Sequence, residues 1–229
     1  MGWLLLPREY GNILGPICRK QGRSIPIGTL TAMKLLIFSD IHGDTAALQR
    51  LMDTGADYYF AAGDLANWGR GLEKCVAPLQ KHADRVYVLP GNHESESDIE
   101  RFCAKHGFHN FHGQTMTLGG YKVAGLGYSN PTPFQTPGEY SEEELAGRLS
   151  AFENLSPLVM VCHCPPLRTQ LDRAGEKQHY GSGSIREFIE RVQPAFFFCG
   201  HIHEAEGVEE QLGATRAFNV GKKGYLLEL

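Results

Sequence analysis

From position 33 onward, short apolar runs alternate with stretches of helical periodicity. Lys34 to Ser39 reads as a buried strand, since the run KLLIF carries no polar alternation after its first residue. Thr45 to Asp53 predicts a helix with Ala47, Leu48, Leu51 and Met52 on one face, stopped at Gly55. Asp57 to Ala62 predicts a second strand. Leu72, Cys75, Val76 and Leu79 form a second helical stripe, which Pro78 should kink or shorten, and Arg85 to Leu89 predicts a third strand. Ser97 with Glu100, Ser141 with Glu144, and Ser184 with Glu187 each match a capping box and predict helix starts.

Thr115 to Leu118 and Tyr121 to Leu126 flank Gly119-Gly120, a pair that tolerates positive φ and predicts a two-residue hairpin turn. Leu158 to Cys162 and Ala195 to Cys199 read as buried strands, and Thr215 to Val220 and Tyr225 to Leu229 as terminal ones; the mixture suggests two sheets. Residues 1–32, with three prolines, five glycines and no sustained period, are expected to be an N-terminal extension of uncertain order, with Met33 as the natural start and 33–229 as the folded domain.

Composition narrows the class. Of 229 residues, 42% are hydrophobic and 21% charged, which excludes wholesale disorder. A net charge of −4 supplies no global attraction for nucleic acid or anionic lipid, so an anionic substrate must be drawn in locally. No apolar run approaches the ~20 residues of a membrane span. The six cysteines lack zinc-ribbon pairing and are read as reduced, and Trp3 to Leu6 is too short for a signal segment, so a cytoplasmic location is expected.

The chemistry gathers where strands end. Five predicted strands run directly into metal-capable residues: Asp40-Ile41-His42, Gly63-Asp64, Gly91-Asn92-His93-Glu94, His163, and Gly200-His201-Ile202-His203. In an open α/β sheet the carboxyl ends of strands line the ligand crevice, so the clusters would converge there. Asp40 with His42, and His201 with His203, could each chelate. Two aspartates, one asparagine and four histidines besides His93 suit Mn, Fe, Zn or Co better than Mg or Ca alone. They exceed one tetrahedral site, and with one bridging carboxylate they suit two ions about 3.5–4 Å apart, the spacing used for in-line displacement at phosphorus.

This ordered set resembles the calcineurin-like metallophosphoesterases, whose pattern is D-x-H, G-D, G-N-H-[DE], H and G-H-x-H. The resemblance implies a two-sheet α/β sandwich flanked by helices, in α-β-β-α layers, with 33–229 as the catalytic domain. It further implies that Asp40, His42 and His203 bind one metal, that Asn92, His163 and His201 bind the other, and that Asp64 bridges them. Two divalent ions, manganese first, would be the cofactors, with a hydroxide between them as nucleophile. His93 would protonate the leaving oxygen or stabilise transition-state charge, and Asn92 and His93 would contact substrate.

A phosphodiester of a small molecule is the favoured substrate, because the chain has little sequence for a capping domain and Pro131 to Glu139 is the obvious extra loop. A phosphomonoesterase or nuclease is the nearer alternative, with nucleic acid disfavoured by charge. A metal-binding interaction scaffold is the alternative of another class, opposed by the completeness of the set. Elsewhere the plain readings hold: His82, His106, His109 and His112 on helix surface or loop, Cys162 and Cys199 in packing, Asp44 as a helix cap, Glu94 orienting ligands. Gly181 to Ser184 reads as a loop capped by Ser184, and His179 as part of a surface loop.

Overall fold

Each strand that the apolar runs predict does form, and alternation across those strands explains why they make two sheets. In the computed structural model, which describes residues 32–229, β1 (Lys34–Phe38) is followed by α1 (Thr45–Met52), β2 (Tyr58–Ala61), α2 (Leu72–Gln80), β3 (Val86–Val88), α3 (Glu96–His106) and β4 (His109–Asn110). Next come β5 (Thr115–Leu118), β6 (Tyr121–Leu126), α4 (Glu142–Leu149) and β7 (Leu158–Cys162). A small hairpin of β8 (Arg173–Ala174) and β9 (Gln178–His179) precedes α5 (Gly183–Val192), β10 (Phe196–Cys199), β11 (Glu209–Leu212), β12 (Thr215–Asn219) and β13 (Tyr225–Glu228). The expected N-terminal extension lies, up to residue 31, outside the described residues.

One sheet runs β13-β1-β2-β3-β4 and the other β11-β12-β10-β7-β6-β5. Leu35 and Ile37 of β1 and Phe60 of β2 meet Val123, Val159, Val161, Phe198 and Phe218 between the sheets. The alternate residues Leu36, Phe38 and Tyr59 turn outward and pack with Leu48, Leu51, Ile99 and Phe102 of the helices. On the far sheet Met160, Cys162 and Phe197 pack with Leu145, Leu149, Ile185 and Phe188. This is the expected α-β-β-α sandwich. Burial on both faces is why these strands read as unbroken apolar runs. Truncating one of the interior aromatics, such as fully buried Phe198, costs about 3–5 kcal/mol.

Parallel pairing places the carboxyl ends together. β1, β2 and β3 are parallel neighbours, as are β6, β7, β10 and β12, so the loops that leave them share one edge of the sandwich. β13 returns to the first sheet, antiparallel to β1 with Lys34 opposite Glu228. Leu118 pairs with Tyr121, and Gly119 and Gly120 take φ of 54° and 85°, the two-residue turn that their composition predicts.

Three local expectations need correction. Ser95, with Asp98, caps α3 in place of Ser97 with Glu100, because the chain is still extended at Ser95 and Ser97 already lies within the helix. Ser182 caps α5 by accepting from the Ile185 N–H, while the Ser184 hydroxyl donates to the Glu142 carbonyl, a tertiary partner. His82 and His112 are buried, not exposed on helix or loop. Ser141 with Glu144 makes the full capping box, Asp44 caps α1, and α2 ends two residues past Pro78. The five described cysteines are free and buried; Cys18 lies outside the described residues. No helix among the described residues is long and apolar enough to cross a membrane.

Candidate metal centre

The loops after β1 and β2 are joined backbone to backbone. The Asp40 N–H donates to the Gly63 carbonyl at 3.1 Å and the His42 N–H to the Asp64 carbonyl at 2.9 Å. Ile41 between them is fully buried, which turns Asp40 and His42 to the same side. Asp40, His42, Asp64 and His201 all take positive φ, at 56°, 49°, 55° and 70°. Such left-handed backbone costs a non-glycine residue of order 1–3 kcal/mol and persists where surrounding structure enforces it.

Glu94, fully buried, supplies much of that enforcement. Its carboxylate accepts from the N–H groups of Asp64 (3.0 Å), Ala66 (2.8 Å) and Gly91 (2.9 Å), clamping the β2 loop to the β3 loop. Gly91 is required there because a Cβ would lie on the Asp64 carboxylate. At the other end, the Asp40 carboxylate accepts from the His201 N–H at 3.0 Å. The Asn92 amide donates to the Thr136 hydroxyl at 3.2 Å, which leaves its Oδ1 facing the centre.

The donor atoms then fall into two adjoining groups. His42 Nε2 and His203 Nε2 are 3.0 Å apart, with Asp40 Oδ1 4.0 Å and 3.5 Å from them. Asn92 Oδ1 lies 3.0 Å from His163 Nε2 and 2.8 Å from His201 Nδ1. Asp64 Oδ2 sits between, 3.6 Å from His42 Nε2 and 3.4 Å from His163 Nε2. Ligand atoms about 2.1 Å from one ion stand about 3.0–3.4 Å from one another in octahedral or tetrahedral geometry, so these spacings fit divalent metals. The structure thus brings together every residue that the sequence singled out. His201 and His203 face different groups, however, so that pair is not a chelate for one ion.

Ring tautomers distinguish His93 from His42 and His163. His163 Nδ1–H donates to the Ala62 carbonyl at 2.9 Å and His42 Nδ1–H to Asn67 Oδ1 at 2.8 Å, which turns each Nε2 toward the centre as the atom that would meet a metal. His93 is also close, one ring nitrogen lying within 4.8 Å of His42 and Asp64 donor atoms. Its Nδ1, though, accepts the Trp68 N–H at 3.3 Å, which assigns the proton of the neutral ring to Nε2 and makes that atom a donor.

Electrostatics point the same way. Burial alone would raise both aspartates. Against it, the hydrogen bond from His203 and the charge of His163 hold Asp40 below the usual carboxylate range, and the charge and hydrogen bond of His163 do the same for Asp64. Burial and the neighbouring Asp64 charge push Glu94 up to about 8, despite its three N–H donors. His163, opposed by burial but facing Asp64, is pushed up to about 9, while burial and His163 push His201 down to about 4. Among the described residues only histidines pair with Asp40 and Asp64; no lysine or arginine does. A buried carboxylate set with no fixed cation is suited to bound divalent ions.

Residues 33–205 match the family model described as calcineurin-like phosphoesterase. The chain belongs to that family. It is 32% identical over 203 residues to an uncharacterized protein of Methanocaldococcus jannaschii, covering 85% of this chain and 91% of the relative. Among solved structures it resembles a protein of Thermus thermophilus (TM-score 0.64, 20% identity, 86% of this chain and 99% of that one). It also resembles phosphopantetheinyl hydrolase of Mycobacterium tuberculosis (TM-score 0.62, 17% identity, 87% and 96%). The family is one of phosphate-ester hydrolases that typically bind divalent metals.

In this calcineurin-like phosphoesterase the sequence reading overlooked four supports. Asn67 orients His42, and Trp68 sets the His93 tautomer. Thr136 turns Asn92, and buried Asn219 donates to the carbonyls of Leu171, Gly200 and Ile202, holding the loop that carries His201 and His203. Asn219 had a signal, since it too ends a strand at the same sheet edge. The centre opens into a cavity of about 640 Å³. His179, which reads as a surface-loop residue, lines that cavity and is paired with buried Asp172 at 2.7 Å.

Proposed function

We propose that this phosphoesterase holds two divalent ions, manganese first, and hydrolyses small phosphodiesters in the cytoplasm. Asp40, His42 and His203 would hold one ion and Asn92, His163 and His201 the other. The observation that carries the reading is the position of Asp64 Oδ2, within 3.6 Å of one donor group and 3.4 Å of the other. When bound, the ions supply Lewis-acid polarisation of the phosphate and activation of water.

The protein's own groups bind and orient. Asn92 and His93 border the cavity beside the centre, and His93 Nε2–H donates to a phosphate oxygen, stabilising charge that develops on it in the transition state. The Trp68 N–H at Nδ1 keeps that proton on the far nitrogen, which favours stabilisation by donation over release of a proton from a charged ring. No lysine or arginine lines the cavity among the described residues, so a monoanionic diester is better matched than a dianionic monoester. The same lack, with a net charge of −4, disfavours nucleic acid as substrate. The five buried free thiols support a reducing compartment.

The test compares bis(p-nitrophenyl) phosphate with p-nitrophenyl phosphate, using chelator-stripped protein with and without Mn²⁺. Turnover that requires metal and is faster on the diester is expected. Faster turnover of the monoester would overturn the diester preference, and no turnover with about two metals bound would favour the interaction-scaffold alternative.

A further inference from the structure

Three large hydrophobic side chains are exposed among the described residues: Trp68 at 50%, Phe134 at 72% and Tyr180 at 49%. Scattered exposed apolar residues are ordinary, but two of these line one cavity and the third lies against a residue that lines it. Phe134 and Tyr180 line the cavity that opens from the metal centre. Trp68 lies edge-on to His93, ring centroids 5.7 Å apart. The rings arise from three separate loops, so no single element's amphipathicity accounts for their placement at and beside the cavity.

The charges around the rings are equally selective. Glu142 also lines the cavity, and its carboxylate is fixed by the Ser182 hydroxyl (2.7 Å) and the Ser184 N–H (2.8 Å). These donors outweigh burial and keep it ionised. His179 is already matched by Asp172. A second phosphate or carboxylate on the substrate would therefore meet a fixed negative charge and, among the described residues that line the cavity, no lysine or arginine.

We propose that the ester hydrolysed here carries a single phosphate and an uncharged planar ring, the ring lodging against Phe134 and Tyr180 while the phosphate lies at Asn92 and His93. This rests on the phosphoesterase reading above and adds the class of the organic group. Stacking of a planar ring on aromatic side chains contributes about 5- to 150-fold in affinity per ring.

Calorimetric binding to the Mn²⁺-loaded full chain tests it with the monomethyl esters of phenyl-, methyl-, 4-carboxyphenyl- and 2-aminoethylphosphonic acid, in which the phosphorus group is monoanionic like that of a diester. The expected result is that the phenyl compound binds about tenfold more tightly than the methyl compound. Phe134→Ala and Tyr180→Ala should each lower that ratio, and the added carboxylate should cancel most of it. A wild-type ratio near one, a ratio unmoved by both substitutions, or tightest binding of the aminoethyl compound overturns the ring assignment while leaving the phosphoesterase reading intact. Failure of all four to bind removes the phosphoesterase reading and this inference with it.

Discussion

Replacing Glu94 with glutamine isolates what positions the centre, because the hydrogen bonds of its carboxylate all come from backbone N–H groups. Its two oxygens accept three N–H groups, from Asp64, Ala66 and Gly91, at 2.8–3.0 Å. In Glu94→Gln the amide oxygen can keep Asp64 and Gly91 by occupying the Oε2 position. Above about pH 8, where wild-type Glu94 is ionised, the amide nitrogen in its place opposes the Ala66 N–H, two donors facing each other in a fully buried site. Losing that bond and leaving the donor unsatisfied costs about 1–3 kcal/mol, which in a domain of this size lowers Tm by about 2–12 °C. The larger effect is expected on metal. Asp64 shares the strained loop that Glu94 clamps, and loss of such supporting partners typically weakens metal binding by about 10- to 100-fold. Thermal unfolding in EDTA reads the first quantity and Mn²⁺ calorimetry the second. A variant that loses stability but binds Mn²⁺ as tightly as wild type would show that Glu94 holds the loops without aiming Asp64, and would refute the reasoning.

Other perturbations separate the remaining roles. His93→Ala is expected to keep its metals and lose about 10²- to 10³-fold in turnover, the range for removing one charge-stabilising donor, whereas Asp64→Ala should lose metal itself; metal analysis beside kinetics distinguishes them, and metal loss in His93→Ala would contradict the donor role. Gly91→Ala forces a Cβ onto the Asp64 carboxylate and should weaken Mn²⁺ binding even where the fold survives, as calorimetry and circular dichroism together would reveal. His112, buried between the Gly127 N–H and the Tyr140 hydroxyl, is pushed down to about 4 by burial and then by the Arg148 charge. Its folded state binds fewer protons than the unfolded one, so this contribution is complete above about pH 6.5 and lost as pH falls towards 4. The difference amounts to at most about 3 kcal/mol. Urea midpoints from pH 7 to 4 should fall less steeply for His112→Gln than for wild type; parallel curves would sink this attribution.

Local periodicity and residue order determined much of this protein. The strands β1, β2, β3, β7 and β10 were legible because burial on both faces leaves an unbroken apolar signature, and the residues of the candidate centre were legible because each follows directly on such a strand. Parallel strands carry their carboxyl ends to one edge, so order along the chain translated into proximity in space. Tertiary structure decided what depends on partners distant in sequence. Ser184 was drawn from capping by Glu142, 42 positions away, and β13 joined the first sheet beside β1 across nearly the whole domain. His201 and His203, two residues apart, were split between donor groups by Asn92 and Asp40. The His93 tautomer came from the Trp68 backbone, 25 positions earlier, and the clamp on the Asp64 backbone from Glu94, 30 positions later. A backbone N–H or a carboxylate has no preferred sequence distance for its partner; which one it meets is set by how two sheets pack, and that is a property of the assembled core.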